Sequence, residues 1–452
     1  MSIETIRLTG RGKAFLIVSC ILIGLSFVAP TNDAFLSLLV SGLSMILLIF
    51  ISYNFLMIKA RVLHQVEIQR IIKGSKIEKE PHQILIRFKN PTAFPIYCSE
   101  ITDNPPETAK IIRGSNNSIL VLPPKGISTM SYWAKFSTGE HKFKKSTVLI
   151  RDPLSLLFVT VPLGKEDIAR IFPKIRPIIE RRLWRSLVTA PFGMSRARVI
   201  GAGHEFADIR EYVYGDDFRK IEWKSTARTG KLMVKDHELE AHLRVIFILD
   251  ATKTMLHGVL GNTKLEYSIR AVAAISKFLL DRGDQVALTI YMGENDFLFV
   301  PMLKGRGRFK EILQALSRVS PKGLNKSGLI EAISKSVAKS TAWGKNLIIL
   351  ISDLENCTID FLESLAELAF RIRSMKNDFY IISPYTPLFE EETMSSLGRI
   401  IYRIYAASSW KEREKITRIF ERRGISVLNV GPRDIIDIVL KRIEEMRPVA
   451  PV

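Results

Sequence analysis

The sequence predicts a mixed α/β protein: a C-terminal doubly wound, Rossmann-like domain preceded by a β-sandwich-like region and an N-terminal transmembrane helical hairpin. Three observations carry this. Two uncharged apolar stretches lie within residues 14–58, short alternating runs broken by Pro, Gly and Asn fill residues 59–164, and from residue 241 nearly all-apolar strands alternate with amphipathic helical patterns. A chain of 452 residues exceeds one core and suits about three folded units. With 47% hydrophobic and 25% charged residues, wholesale disorder is excluded. Cys20, Cys98 and Cys357 lie far apart, without metal-ligand spacing, which argues against a disulfide framework and fits a reducing compartment.

Residues 1–13 read as a cytoplasmic N-terminus. The first apolar stretch, Ala14 to Pro30, and the second, Ala34 to Ile58, are joined by Thr31-Asn32-Asp33. At 1.5 Å per residue each can cross a hydrocarbon core about 30 Å thick, the first near the lower limit. Arg7, Arg11 and Lys13 precede the first, Lys59 and Arg61 follow the second, and the link carries neither Lys nor Arg. The positive-inside rule then places both ends, and the soluble domains, in the cytoplasm of a multi-pass cell-membrane protein. A cleaved signal peptide fits less well, because no small-x-small site precedes Asp33 and a second span follows at once.

In residues 59–164, Ile84–Phe88, Ser118–Leu122, Thr129–Phe136 and Lys142–Arg151 read as strands of a small antiparallel sandwich of immunoglobulin-like type, a spacer or docking module. The net charge of +20 is concentrated between the membrane segments and residue 200: residues 59–200 hold 25 Lys/Arg against 11 Asp/Glu, whereas residues 201–452 hold 38 against 33. A basic region directly after a membrane segment points to anionic lipid headgroups. Specific nucleic-acid binding is not expected, since zinc-finger spacing, arginine-glycine repeats and aromatic-interleaved basic motifs are all missing from the sequence.

In residues 241–452 the expected strands are Leu243–Leu249, Gln285–Tyr291, Asn346–Ile351, Asp378–Ile382 and Ile425–Val430. The expected helices are Leu265–Asp281, Phe309–Val319, Ser327–Lys339 and Phe361–Met375. Ligands of such sheets bind beyond the carboxyl ends of the strands. The first strand is followed by Asp250-Ala-Thr252-Lys-Thr254, the strand ending at Ile351 by Ser352-Asp353, and Lys326-Ser327-Gly328-Leu329 opens a helix between them. Two carboxylates with several hydroxyls make a hard-oxygen set that suits Mg²⁺, or Mn²⁺. An Asp after a strand can equally cap the next helix.

Residues 165–240 combine a basic, Pro-punctuated connector with the most distinctive stretch, Gly203 to Glu238. There acids and bases alternate densely, with Phe206, Tyr212, Phe218, Ile221 and Trp223 between them, and Gly215-Asp216 signals a turn from which Asp216 can cap a helical turn. This stretch reads either as a charge-laced loop held by ion pairs or as a partner-binding surface. Its candidate interaction residues are Glu205, Arg210, Asp216, Asp217, Arg219, Trp223, Lys224 and Arg228.

The pattern of Glu205, Phe206, Arg210, Tyr212, Gly215, Asp216, Asp217, Arg219, Ile221, Trp223, Lys224, Ala227 and Arg228 resembles the hallmark of the bacterial and archaeal domain-of-unknown-function 58 family. The resemblance implies a membrane hairpin, a β-rich region, the hallmark and a von Willebrand factor A-like domain, with a MoxR-type AAA+ ATPase as partner in assembling or activating client proteins. It also implies that Asp250, Thr252, Thr254, Ser327 and Asp353 form a metal-ion-dependent adhesion site. The chain is thus expected to be a membrane-anchored, metal-dependent adaptor for an unknown client. A metal-free membrane-proximal scaffold is the alternative, and a phosphohydrolase a further one.

No catalytic activity is expected. A haloacid-dehalogenase-type site needs a second acid where Thr252 stands. The histidines of His237-Glu-Leu-Glu-Ala-His242 are five apart and do not share a helix face. Thr229-Gly-Lys-Leu232 has neither the upstream Gly nor the Ser/Thr of a phosphate loop.

Overall fold

The computed structural model describes residues 6–175, 178, 200–214, 216–238, 242–259, 261–340, 345–355, 357–390, 410–432 and 434–446; the side chains of residues 98–99, 200–209, 220 and 235–238 lie outside that description. The chain divides into two compact units, Met1–Phe172 and Pro173–Val452.

The first unit opens with β1 (Arg7–Leu8), α1 (Gly10–Ser26) and α2 (Asn32–Leu63). Each helix is capped by a threonine, Thr9 accepting from the Gly12 N–H (3.0 Å) and Thr31 from the Ala34 N–H (3.3 Å). The helices touch where Gly42 leaves room, since a Cβ there would stand 2.6 Å from Ile23 Cγ1. Both helices begin before the apolar stretches read from the sequence, and α2 runs on to Leu63 because Leu56, Ala60 and Leu63 are buried in the core of the following sandwich. Among the described residues α2 is the one helix long and apolar enough to cross a membrane; α1 has 17 residues.

The sandwich holds two antiparallel sheets. One has the order β1, β10 (Leu157–Leu163), β9 (Ser146–Arg151), β4 (Ile96–Thr102), β6 (Asn117–Leu122). The other has the order β2 (Glu67–Lys73), β3 (His82–Lys89), β7 (Ile127–Lys135), β5 (Lys110–Arg113). Alternate residues point inward, Ile84, Ile86 and Phe88 from β3 meeting Val148, Ile150, Val159 and Val161 in one core. The strand expected over Lys142–Arg151 is two strands. β8 (Gly139–Phe143) pairs with β11 (Asp167–Ile171), while β9 pairs with β10. Adjacent exposed Lys144 and Lys145 break the period-2 alternation, so the buried phase restarts at Ser146.

The sandwich grips the amino end of α1 and the carboxyl end of α2. Thr9 Oγ1 donates to the Ser155 carbonyl (2.7 Å), and Ser52 Oγ donates to buried Asp152 (3.2 Å). Gly12 lies so close to the Leu156 carbonyl that a Cβ would sit 2.0 Å from its oxygen.

The second unit begins with the antiparallel hairpin β12 (Ile200–Glu211) and β13 (Met233–Glu238), with the short helix α3 (Trp223–Thr229) in its connection. Next comes a six-stranded sheet in the order β18, β17, β14, β19, β20, β21. Its members are β14 (Arg244–Asp250), β17 (Gln285–Gly293), β18 (Asp296–Lys304), β19 (Leu347–Ile351), β20 (Asp378–Pro384) and β21 (Ser426–Val430). Only β18, an edge strand the sequence reading did not foresee, is antiparallel to its neighbour. A two-residue ladder, β15 (Gly258–Val259) with β16 (Asn262–Thr263), follows β14.

The helices are α4 (Lys264–Asp281), α5 (Phe309–Leu316), α6 (Ser327–Ser340), α7 (Ile359–Ser374), α8 (Thr386–Glu390) and α9 (Ile435–Glu445), and residues 410–421 are also helical. Both sheet faces are covered. Val245, Phe247 and Leu249 pack with residues of α4, α5 and α9, whereas Ile246 and Ile248 pack with residues of α6 and α7. Fully buried strands therefore need continuous apolar runs, as the sequence shows.

Candidate functional site: a buried charge cluster and an exposed charged hairpin

Strands β14 and β19 are parallel neighbours, so the residues at their carboxyl ends meet: Asp250 closes β14, and Ser352-Asp353 follow β19. Asp250 Oδ1 accepts from the Thr252 N–H (3.0 Å) and hydroxyl (2.7 Å), and its Oδ2 from the Ser352 hydroxyl (2.6 Å). The Thr252 and Thr254 hydroxyls are 3.0 Å apart, and Thr254 donates to Asp353 Oδ1 at 3.3 Å. Four of the five candidate ligands are thus brought together and buried.

Ser327 is not among them. It is exposed at the start of α6, where its backbone N–H donates to Asn325 Oδ1 (2.9 Å). The side chain entering the cluster from this segment is that of its neighbour Lys326, only 5% exposed. Lys326 Nζ lies 3.1 Å from Asp250 Oδ2 and pairs directly with Asp353 Oδ1, bridging the two carboxylates. The loop before it is pinned to the strand ends by three contacts. Lys253 N–H donates to Gly323 O (2.9 Å), Lys322 N–H to Met292 O (2.9 Å) and the Tyr291 hydroxyl to Asn325 O (3.0 Å). Just beyond, a Cβ at Gly328 would lie 2.2 Å from Asn295 Oδ1, so a larger residue there would displace the Asn295 side chain.

A second ammonium arrives from the first residue of α4. Thr263 and Glu266 form a capping box that fixes this helix start, and fully buried Lys264 donates to Asp353 Oδ2 (2.7 Å), Glu355 Oε2 (3.1 Å) and Thr386 Oγ1 (2.8 Å). Arg413, in the helical stretch 410–421, donates to the Asp353 carbonyl, the Ser383 hydroxyl and Asn429 Oδ1 (2.8 Å). Burial alone would lower the Lys326 pKa, but Asp250 and Asp353 outweigh it and raise it net. Burial works to raise the Asp353 pKa, and Lys326 and Lys264 together drive it well below the usual carboxylate range. Burial lowers that of Arg413 and pushes the nearby Cys357 thiol up to about 11. Lys264, Lys326, Glu355 and Arg413 were not foreseen. The sequence signal was a lysine immediately before or at the first residue of an amphipathic helix, where a cation faces an unfavourable helix dipole unless a carboxylate meets it.

This donor set does not fit a resident divalent cation. Two carboxylates already face two ammonium groups, so the inner cluster is electrically balanced. The place between Asp250 and Asp353 is taken by the Lys326 ammonium, and Lys264 stands against the other oxygen of Asp353, so a divalent ion there would meet like charge on the same carboxylates.

The hairpin region has the opposite character. Arg210 makes a bidentate pair with Asp216 (2.7 and 2.8 Å), whose Oδ2 also accepts from the Val213 N–H (2.9 Å). Asp217, rather than Asp216, caps the turn at Phe218–Lys220, accepting from the Arg219 N–H (3.0 Å); Asp216 is already engaged by Arg210. Gly230, in the left-handed region at φ 72°, ends α3. Tyr212 and Phe218 rings lie 5.5 Å apart. Val213, Tyr214 (98%), Phe218 and Trp223 (67%) are exposed, with Lys224 and Arg228 beside them. The Glu205 side chain lies outside the described residues.

The fold and the two charged regions define a class first: an α/β chain with an unburied apolar helix and no assigned chemistry. Residues 208–376 match the model of the family described as "Protein of unknown function DUF58". The chain is similar to the uncharacterized protein YeaD of Bacillus subtilis, 25% identical over 240 residues, covering 52% of this chain and 57% of the relative. It is also similar to the uncharacterized protein Rv1480 of Mycobacterium tuberculosis, 25% identical over 175 residues, covering 38% and 53%. The chain spans little more than half the length of these curated relatives. Among solved structures, BatB of Bacteroides thetaiotaomicron overlaps with a TM-score of 0.32 and 19% identity, covering 45% of this chain and 98% of that one. An aerotolerance-related membrane protein of Bacteroides fragilis overlaps with a TM-score of 0.31 and 16% identity, covering 45% and 100%.

Proposed function

We propose that this chain is a membrane-anchored adaptor that engages a protein partner through its charged hairpin and performs no turnover itself. The observation that carries the reading is the exposed set Val213, Tyr214, Phe218 and Trp223 along the connection of the hairpin, whose first turn is fixed by the Arg210–Asp216 pair. Large apolar side chains held out to solvent and rimmed by charge have the composition of an interface core. Rigid presentation lowers the ordering cost of binding. The resemblance noted above supplies the partner class, a MoxR-type AAA+ ATPase acting on a client protein.

The anchor in this reading is the α1–α2 hairpin. The sandwich holds the amino end of α1 and the carboxyl end of α2, which suits two antiparallel spans. The basic flanks put both ends in the cytoplasm, and the basic sandwich then faces anionic headgroups. The test is co-purification of the detergent-solubilised full chain with a MoxR-type ATPase. A Tyr214→Ala/Trp223→Ala double variant is expected to lose the ATPase; recovery equal to wild type overturns the reading. External protease on intact cells is expected to spare the α/β unit.

A further inference from the structure

The charge cluster beyond β14 and β19 carries a conclusion independent of the adaptor reading. We infer that the ammonium of Lys326 permanently fills the position between Asp250 and Asp353 in which a divalent cation would sit, so this is a metal-independent site closed by a tethered cation. Three features support it. Lys326 contacts both carboxylates, one from each neighbouring strand. The hydroxyls of Thr252, Thr254 and Ser352 turn onto those same carboxylates, so the oxygen donors satisfy one another around an ammonium. Lys264 holds the remaining oxygen of Asp353, and Arg413 holds its carbonyl, so three cations and the Thr254 hydroxyl surround Asp353.

The chemistry separates the two kinds of occupant. An ammonium donates three hydrogen bonds and needs acceptors, whereas a divalent cation needs an open shell of oxygens with exchangeable water. Lys326 also reaches the cluster from a loop pinned to the strand ends, so its ammonium is tethered beside the carboxylates rather than drawn from solution. A cation that cannot leave cannot be exchanged, and no partner carboxylate can be recruited through an open coordination position. The cluster then works as a strut that ties α4, α6 and the 410–421 helix to the strand ends.

The test uses the full chain in detergent, with Mn²⁺ as the probe and electron paramagnetic resonance and thermal unfolding as readouts. Wild type and Thr254→Val are expected to bind Mn²⁺ equally, and millimolar Mg²⁺, Mn²⁺ or chelator is expected to leave the wild-type midpoint unchanged. Lys326→Gln, which vacates the position, is expected to lower the midpoint by several degrees, to take up one Mn²⁺ per chain more than wild type, and to regain part of the loss with it. A Mn²⁺-dependent rise in the wild-type midpoint that Thr254→Val abolishes overturns the inference. So does a folded Lys326→Gln protein that takes up no additional Mn²⁺. If Lys326→Gln does not fold, the wild-type and Thr254→Val measurements decide the matter alone.

Discussion

The cluster at the strand ends and the hairpin at Arg210–Arg228 are built from the same materials, carboxylates, cations and a few hydroxyls, yet they differ in where the charge can go. Asp250, Asp353, Lys264 and Lys326 are buried, and every charge is met by another within the same α/β unit. In the hairpin Lys224, Arg228, Asp217 and Arg219 are exposed, and the apolar residues between them are exposed as well. Buried pairs are costly to break because the survivor keeps its desolvation penalty. Exposed pairs are cheap, because water replaces the lost partner. The first region is therefore suited to holding elements together and the second to meeting something else. Substitutions that move one region's behaviour toward the other's put that contrast at risk.

The largest effect is expected from Asp353→Ala. It takes a carboxylate from two buried ammonium groups, leaving Lys326 with Asp250 and Lys264 with Glu355, and removes an acceptor of Thr254, a loss of about 3–5 kcal/mol in the stability of the α/β unit. Thermal unfolding followed by near-ultraviolet circular dichroism checks this; a shift no larger than that of a surface substitution would mean that the pairs are not formed. Next comes Lys326→Gln studied against pH. In wild type, Asp353 has a lowered pKa, so its contribution is present above the ordinary carboxylate value, about 4, and is lost as pH falls through the lowered value. Lys326 has a raised pKa, so its contribution is present below the ordinary lysine value, about 10.4, and is lost as pH rises through the raised one. Between those limits the contribution of this pair is flat. Removing the ammonium takes away the larger of the two charges that lower the Asp353 pKa, so that pKa should move back up. The deficit of Lys326→Gln relative to wild type should therefore be level near pH 7 and shrink as pH falls below about 4. A deficit that grows toward acid would mean that Lys326 is not paired with Asp353.

Much of this contrast could be read in the chain before the structure, and the part that could not has a physical reason. The parallel strands were legible because burial on both faces leaves apolar runs such as Arg244–Asp250 and Leu347–Ile351. β18 was missed because an antiparallel edge strand, Asp296–Lys304, is half exposed and holds a proline. At the site, Asp250 and Asp353 were found from the rule that ligands gather at strand ends, which depends on topology alone. Lys264 and Lys326 were not, because whether a lysine beside a helix start turns outward or inward is decided by carboxylates brought from other strands. Ser327 was one residue from the side chain that enters, since hydroxyl chemistry was sought where the fold supplies an ammonium.

A smaller effect is expected from Arg210→Ala. The Arg210–Asp216 pair is bidentate but partly exposed, so its loss should cost about 0.5–1 kcal/mol. Its consequence should be larger for binding than for folding, because the turn then loses the guanidinium that joins Arg210 to Asp216. Restoring bidentate geometry is beyond a lysine, so Arg210→Lys should recover the charge without recovering partner binding, measured as ATPase retained on the immobilised full chain.

The smallest effect on stability is expected from Trp223→Ala, and it is the one that separates the two regions most sharply. Trp223 opens α3 with 67% of its surface exposed, so little of its apolar area is gained on folding and the substitution should change stability by no more than about 0.5 kcal/mol. The hydrogen bonds that hold the hairpin together, Glu222 N–H to the Met233 carbonyl and Met233 N–H to Thr226 Oγ1, do not involve its side chain. An indole held out to solvent on a fixed backbone is a costly arrangement to keep in water and a favourable one to bury against a partner, where such a residue characteristically contributes 2 kcal/mol or more, about a thirtyfold change in affinity. The same substitution is thus expected to leave the unfolding midpoint in place while weakening ATPase binding by about that factor. Titration of the immobilised chain against the ATPase, run beside thermal unfolding of the same sample, measures both quantities. A fall in the midpoint with unchanged binding would reverse the assignment and make the hairpin, like the cluster at the strand ends, a device for holding the fold.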